Sequence, residues 1–287
     1  MTTGFISYKP DGSVLYDTSK VSYGLLKSGY LSLQTYWPRL DLRSVQLDPS
    51  DPSNWTESST TEPVLGFSVS GAVAPIVFIT GSGSPCGSSK AGDITTFYYI
   101  GASTSTKFFY FDTMRDTGPI TGMKCFREDG VLTFNSSQRP LNIVATVAPP
   151  EPAPISIPGT SYRSSPYFGG TRSYGPVYPG GPANVINRVT VSLGSPEEFA
   201  AYVNFTRSAG LGPLTSPYIY PFLTAVQEGA YGVVGGVEFM FCMSARTTLL
   251  PQQRAPAQSA NAYFDVPTDR YPIALVIRTS GYPFPYN

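Results

Sequence analysis

CFREDGVLTFNSSQRP, residues 125–140, has a near double at residues 7–22, SYKPDGSVLYDTSKVS. Aligned without a gap, the two lie 129 − 11 = 118 residues apart. The matched pairs are Tyr8/Phe126, Lys9/Arg127, Asp11/Asp129, Gly12/Gly130, Tyr16/Phe134, Asp17/Asn135, Thr18/Ser136 and Ser19/Ser137. What is kept is a turn dipeptide, an aromatic position and a small polar triplet. An aromatic strand runs into Asp-Gly, the dipeptide favoured in tight hairpin turns because both residues can take positive φ, and a second strand leaves it. Each copy therefore reads as a β-hairpin with its turn at Asp11-Gly12 or Asp129-Gly130. The triplets DTS and NSS can hydrogen-bond nearby backbone and turn the chain out of the second strand. A calcium loop needs several acidic ligands at alternating positions and a distal Glu, and the second copy has too few.

The rest of the chain reads in the same way. Its 28 Gly and 28 Pro disfavour long helices, while 20 Tyr and 17 Phe favour short strands joined by turns. Leu65, Phe67 and Val69 alternate with small or polar neighbours, the period-2 pattern of a half-buried strand, and APIVFIT follows as a continuous apolar run. TTFYYIG and KFFYFDTM read as two strands that pair as a hairpin across ASTST. GSGSPCGSSKAGD, residues 81–93, reads as a flexible loop, and LDPSDPSNW as a turn-rich connector.

Between 148 and 183 proline and glycine dominate, which marks a boundary between a β-sandwich-like region at 1–147 and a second one at 184–287. This arm carries Tyr162, Tyr167, Phe168, Tyr174 and Tyr178, more aromatic surface than a solvated linker wants, so it is expected to lie on another surface. In the second region NRVTVSL is a strand. GSPEEFAAYVNFTRSAG predicts one short helix, capped by Ser195, with Pro196 in its first turn, Glu198 completing a capping box and Gly210 as its stop. YGVVGGVEFMFCMSA sets Val237, Phe239, Phe241 and Met243 on one face and Glu238, Met240 and Cys242 on the other, and YPIALVIRT closes the fold. The fold class is mostly β, the second region α+β but mainly β.

Composition narrows function. Lys plus Arg equals Asp plus Glu at 19 each, and no basic run is interleaved with aromatics, so the footprint of a nucleic-acid binder is missing. No apolar run reaches the ~20 residues of a membrane span. The absence of histidine removes Ser-His-Asp and Cys-His triads and His-ligated zinc. Cys86, Cys125 and Cys242 are widely spaced and odd in number, so they read as buried thiols. No phosphate-loop or dinucleotide motif stands in its context. The remaining enzymatic option is a glycan depolymerase working with two carboxylates drawn from Glu57, Glu62, Asp93, Asp112, Asp116, Glu128 and Glu238. As a binding surface, Trp55, Tyr98, Tyr99 and the arm tyrosines are the candidates. SGYPFPYN alternates Tyr282, Phe284 and Tyr286 with prolines, a stiff segment expected to dock on a neighbouring domain or subunit.

The order strand, Asp-Gly turn, aromatic, Asp or Asn, Ser/Thr pair and then the apolar RPLNIVATV resembles the short hairpin module of minor tail and tail-tip (baseplate) proteins of tailed bacteriophages. The opening GFISYKPDGSVLYDTSK is similar to the N-termini of such proteins. The resemblance covers about the first half of the chain. It implies a virion structural protein made in the host cytoplasm, in contact with other tail proteins and oligomeric about the tail axis, a trimer for preference. It implies no catalytic residue, metal or cofactor. On that reading the arm and the 282–286 aromatics are assembly contacts. The alternative is the receptor-binding component, an adhesin for a glycan or pilus on the host surface.

Overall fold

The structure is a computed structural model that describes residues 6–8, 10–17, 20–42, 55–117, 122–174, 185–212, 223–245 and 262–287. The first half holds β1 (Ile6–Tyr8), β2 (Val14–Asp17), β3 (Tyr23–Tyr30), β4 (Ser32–Leu42), β5 (Trp55–Ser70) and β6 (Ile76–Thr80). These are followed by β7 (Ser84–Ala91), β8 (Ile94–Ile100), β9 (Lys107–Thr113), β10 (Lys124–Phe126), β11 (Leu132–Asn135) and β12 (Ala145–Val147). The second half adds β13 (Thr171–Tyr174), β14 (Val185–Ser192), β15 (Phe199–Val203), β16 (Ser208–Leu211), β17 (Leu223–Val233), β18 (Gly236–Met243), β19 (Tyr263–Phe264) and β20 (Ala274–Arg278), then one 3-10 turn at Thr279–Gly281. The mostly-β reading holds. Among the described residues no helix is long and apolar enough to cross a membrane.

Sixteen strands join one hydrogen-bonded sheet that curls on itself, and β1/β2 and β10/β11 stand apart as two-stranded sheets. Residues 148–183 do not divide the large sheet. Ile79 of β6 pairs with Ala201 of β15, Thr80 pairs in parallel with Gly232 of β17, and β17 also pairs with β4. The two regions read as separate from composition are thus joined strand to strand. Gly232 sits at the junction. A Cβ there would lie 1.9 Å from the Phe199 carbonyl oxygen, so only glycine lets β17 come this close to β15.

Three apolar clusters fill the curl, and several strands are walls between two of them. On β18, Val237, Phe239, Phe241 and Met243 enter one cluster while Met240 and Cys242 enter a second, the alternation read from the sequence. On β9, Phe108 and Tyr110 face the second cluster and Phe109 and Phe111 the third. Burying one such ring stabilises by about 1.5–3 kcal/mol. β8 and β9 do not form the expected hairpin: β8 pairs with β5 and β7, and β9 with β3 and β6.

The predicted helix at 194–210 is absent, and β15 and β16 occupy about half of it. Phe199, Ala201 and Val203 face one cluster while Ala200 faces another, a period of two that β20 secures by pairing along the full length of β15. The capping signals serve a turn instead. Ser195 Oγ accepts from Glu197 N at 3.4 Å, and the Glu198 carboxylate takes Lys107 Nζ at 3.0 Å and Thr279 Oγ1 at 2.8 Å. Local propensity favours the helix, and tertiary burial on both faces outweighs it.

Residues 81–93, expected as a flexible loop, contain β7. Small side chains suit its place: Ser84 lies under Gly229, where a Cβ would come within 2.6 Å of it. Ser84 Oγ donates to the Glu228 carbonyl at 2.7 Å and accepts from Gln227 Nε2 at 2.8 Å. Cys86 and Cys242 are buried in the second cluster, and Cys125 is half-buried in β10. The connector at 47–54 lies outside the described residues.

Candidate functional site

The two hairpins have one geometry. In the first, Ile6 faces Asp17, Ser7 faces Tyr16 and Tyr8 faces Val14; in the second, Lys124 faces Asn135, Cys125 faces Phe134 and Phe126 faces Leu132. Every pair is displaced by the same 118 residues, and the register shift falls at the same step. Gly12 and Gly130 share φ near 80°, whereas neither Asp11 nor Asp129 has positive φ. The turn is therefore a three-residue loop in which a type I turn is followed by a left-handed glycine, not the tighter turn with both residues left-handed. Gly130 N donates to Arg127 O and Arg127 N to Val131 O, both at 2.9 Å. Each aspartate caps its own turn: Asp11 Oδ1 accepts from Ser13 N at 2.9 Å and Asp129 Oδ1 from Val131 N at 3.2 Å.

The segments leaving the hairpins lie against each other. Gly24 bridges Pro140 antiparallel, Leu25 N donates to Arg139 O at 2.8 Å and Leu141 N to Tyr23 O at 2.9 Å. This register sets Tyr23 beside Leu141, its own counterpart in the repeat. On the outer surface the hairpins expose apolar groups. Tyr8 is 60% exposed and its counterpart Phe126 51%, with Ile6 and Val14 beside the first and Met123 and Val131 beside the second.

The described part of the arm, residues 148–174, lies on the chain's own body. Tyr162 and Tyr167 are buried, the first edge-on to Phe264 at 6.3 Å and the second 5.5 Å from Phe241. Phe168 is 67% exposed. Tyr174 ends β13, and Tyr178 lies outside the described residues. The 282–286 stretch also docks within the chain. Ser28 and Tyr286 exchange backbone bonds at 2.7 and 3.0 Å, and Ser28 Oγ donates to Pro283 O at 2.7 Å. Phe284 meets Tyr30 edge-on at 5.0 Å, and Tyr282 meets Phe111 at the same distance. Tyr162, Tyr167, Tyr282 and Phe284 thus find their cover in their own chain, and no neighbouring subunit is needed to explain them. Tyr99 is core, Tyr98 packs against Trp37, and the side chain of Trp55 lies outside the described residues.

The candidate carboxylates are engaged singly. Glu62 is buried against Arg39; burial pushes its carboxyl up, against the pull of the guanidinium. Asp112 accepts from Val73 N, Ala74 N, Thr113 N and Tyr110 Oη at 2.6–2.9 Å. Burial alone would raise it, and these four donors outweigh burial and hold it below the ordinary carboxylate value. Asp116 bonds Lys124 at 2.7 Å, and Glu238 takes the Tyr231 hydroxyl and lies 3.4 Å from Arg188. Glu57, Asp93 and Glu128 are exposed. Among the described residues no hydrogen bond joins two of these acids, and no group of three or more His, Cys, Asp or Glu is placed to hold a metal ion.

The sequence reading missed the most enclosed polar unit. Glu228 and Arg207 form a two-pronged ion pair at 2.7 and 2.8 Å, each side chain 1% exposed, and Tyr167 Oη donates to Glu228 at 2.8 Å. Burial pushes the Tyr167 hydroxyl well up, and Glu228 adds to it. Reading 194–210 as a helix hid Arg207. Glu228 carried a visible signal, a lone charge between Val226 and Ala230 on an apolar face. Sealed and satisfied on every side, the unit orders the interior and offers no access to a substrate. No family model, curated protein or solved structure matches this chain.

Proposed function

We propose that this protein is a non-catalytic structural component of a bacteriophage tail tip, baseplate or fibre base, making subunit contacts through its two repeated hairpins. The observation that carries the reading is the pair of hairpins itself. Both stand off the main sheet, keep one register and turn, and hold an aromatic more than half exposed at the same position, Tyr8 and Phe126. A two-stranded hairpin is marginal in water without an apolar neighbour, and apolar groups gathered at such a place mark a contact surface. The sequence resemblance to tail-tip hairpin modules supplies the biological setting.

The test is the solution mass of the purified chain by light scattering, beside a Tyr8→Ser/Phe126→Ser double variant. An oligomer is expected for the parent chain and the mass of one chain for the variant, with unchanged circular dichroism. A parent chain that stays at the mass of one chain up to high micromolar concentration overturns self-assembly. Release of reducing ends from host polysaccharide overturns the non-catalytic assignment.

A further inference from the structure

The two hairpins differ in where their apolar groups sit. Ile6 and Tyr8 lie two apart on β1 and Val14 is opposite Tyr8, so the first hairpin gathers all three on one face. On the second, Met123 precedes β10, Phe126 ends it and Val131 follows the turn glycine. All six are 41–60% exposed. At the base of the hairpins Ile6 matches Lys124, whose ammonium bonds Asp116 of its own chain at 2.7 Å. At the tip Val131 matches Ser13, whose N and Oγ both donate to Asp11 Oδ1, at 2.9 and 2.6 Å. The apolar surplus is therefore at the base of the first hairpin and at the tip of the second. Charges at these ends come as pairs, Asp17 with Lys20 at 3.9 Å and Arg127 with Asp129 at 2.5 Å, with Glu128 exposed beside the second, so the fit rests on apolar area.

Area decides how many hairpins one contact must hold. An aromatic ring buries about 150–250 Å² and a Val, Ile or Met side chain on the order of 100 Å². Roughly half of each is free, so one copy offers about 400 Å² of apolar area. Apolar atoms make up about 60% of an interface, so two copies that cover both hairpins bury about 1,300 Å² in all, within the roughly 1,200–2,000 Å² of specific interfaces. A contact through one hairpin of each copy reaches only about 650 Å², the size of a non-specific encounter. The chain holds its hairpins as a pair: Ser22 N, at the exit of the first, donates to Thr133 O of the second at 2.9 Å, and the Gly24/Pro140 bridge follows. Fixing both in advance lowers the ordering cost of docking them together. Laid antiparallel on the second hairpin of another copy, the first sets Ile6 against Val131. Laid so on its own copy, it would set Ile6 against Ser13.

We infer that two copies of this chain pair about a two-fold axis, the first hairpin of each lying antiparallel on the second hairpin of the other, with Ile6 against Val131 and Tyr8 against Phe126. This pairing rests on the reading of the hairpins as contact surfaces and adds the partner and its orientation. Its test is light scattering at low ionic strength on the full chain, on Ile6→Lys, on Val131→Asp and on an equimolar mixture of the two variants. The parent is expected at the mass of two chains and each variant alone at the mass of one. The mixture is expected to return to two, because a mixed pair holds one contact of opposite charges and one native apolar contact. Unchanged circular dichroism of each variant, and their recovery in the mixture, establish that both are folded. A parent at the mass of one chain overturns this pairing together with the hairpin reading. A parent of three or more chains, variants that stay paired, or a mixture that stays at the mass of one chain each overturns the pairing and leaves the hairpin reading standing.

Discussion

The hairpin at 6–17 and the hairpin at 124–135 share register, turn and even the bond that follows, Lys20 N to Asp17 O and Gln138 N to Asn135 O, each 3.1 Å. Their surroundings differ. Asp17 is partly exposed and pairs loosely with the exposed Lys20 at 3.9 Å. Asn135 is 1% exposed, and its Nδ2 donates to both Arg115 O and Thr117 O at 2.9 Å while its Oδ1 accepts from Ser137 N and Oγ. An ionised carboxylate can only accept, so it cannot serve two carbonyl oxygens; an amide can. The change from Asp to Asn between the copies follows from that burial. Turn chemistry is local and repeats with the sequence, whereas the duty of an equivalent side chain depends on which strand returns to cover it.

Three experiments would break or sharpen this contrast. Asn135→Asp should be the most damaging, costing about 3 kcal/mol by setting a buried carboxylate against two carbonyls. The matching Asp17→Asn should cost less, since an amide at 17 keeps an acceptor oxygen and its 3.9 Å pair with the exposed Lys20 is weak. Urea unfolding of both at pH 7 decides, and equal losses would mean the environments do not differ. Gly12→Ala and Gly130→Ala should each cost about 1–2 kcal/mol for a left-handed residue with a side chain. Nothing lies within 4 Å of either added Cβ, so the two losses should agree; a clear excess at Gly130 would show that burial reaches the turn itself. The smallest effect is electrostatic. Hydrogen bonds from Arg127 and then from Val131 N lower the Asp129 carboxyl below 3.8. With a lowered folded value, its contribution is present above the unfolded value and is lost as pH falls through the folded one. An NMR titration should give a midpoint below 3.8 that rises in Arg127→Ala; an unchanged midpoint would remove Arg127 from the account.

Much of the fold was legible wherever one strand face spoke for itself. The division of β18 between Val237, Phe239, Phe241, Met243 and Met240, Cys242 is a period of two written in the residues. The errors cluster where both faces are covered. FAAYV lacks a polar face, so no period separates helix from strand, and the capping pattern before it tipped the reading to helix. The serines of β7 look like loop because their strand character depends on Gly229 above and β8 alongside. The hairpin half of the candidate site was readable from Asp-Gly and its flanking aromatics. The Arg207–Glu228 pair was not, because Arg207 was read on a helix and meets Glu228 only where β16 pairs with β17.

From its own letters the chain determined that it would be built of strands, that two hairpins would repeat, and that imidazole chemistry was closed to it. These follow from composition and short-range backbone preference, which need no knowledge of the far chain. Tertiary structure alone decided which strands pair, that β6, β15 and β17 converge at Gly232, and that Glu228 would meet Arg207 and Tyr167 in the interior. Those outcomes depend on long-range burial, where one face of a strand acquires its meaning only from the surface that packs against it.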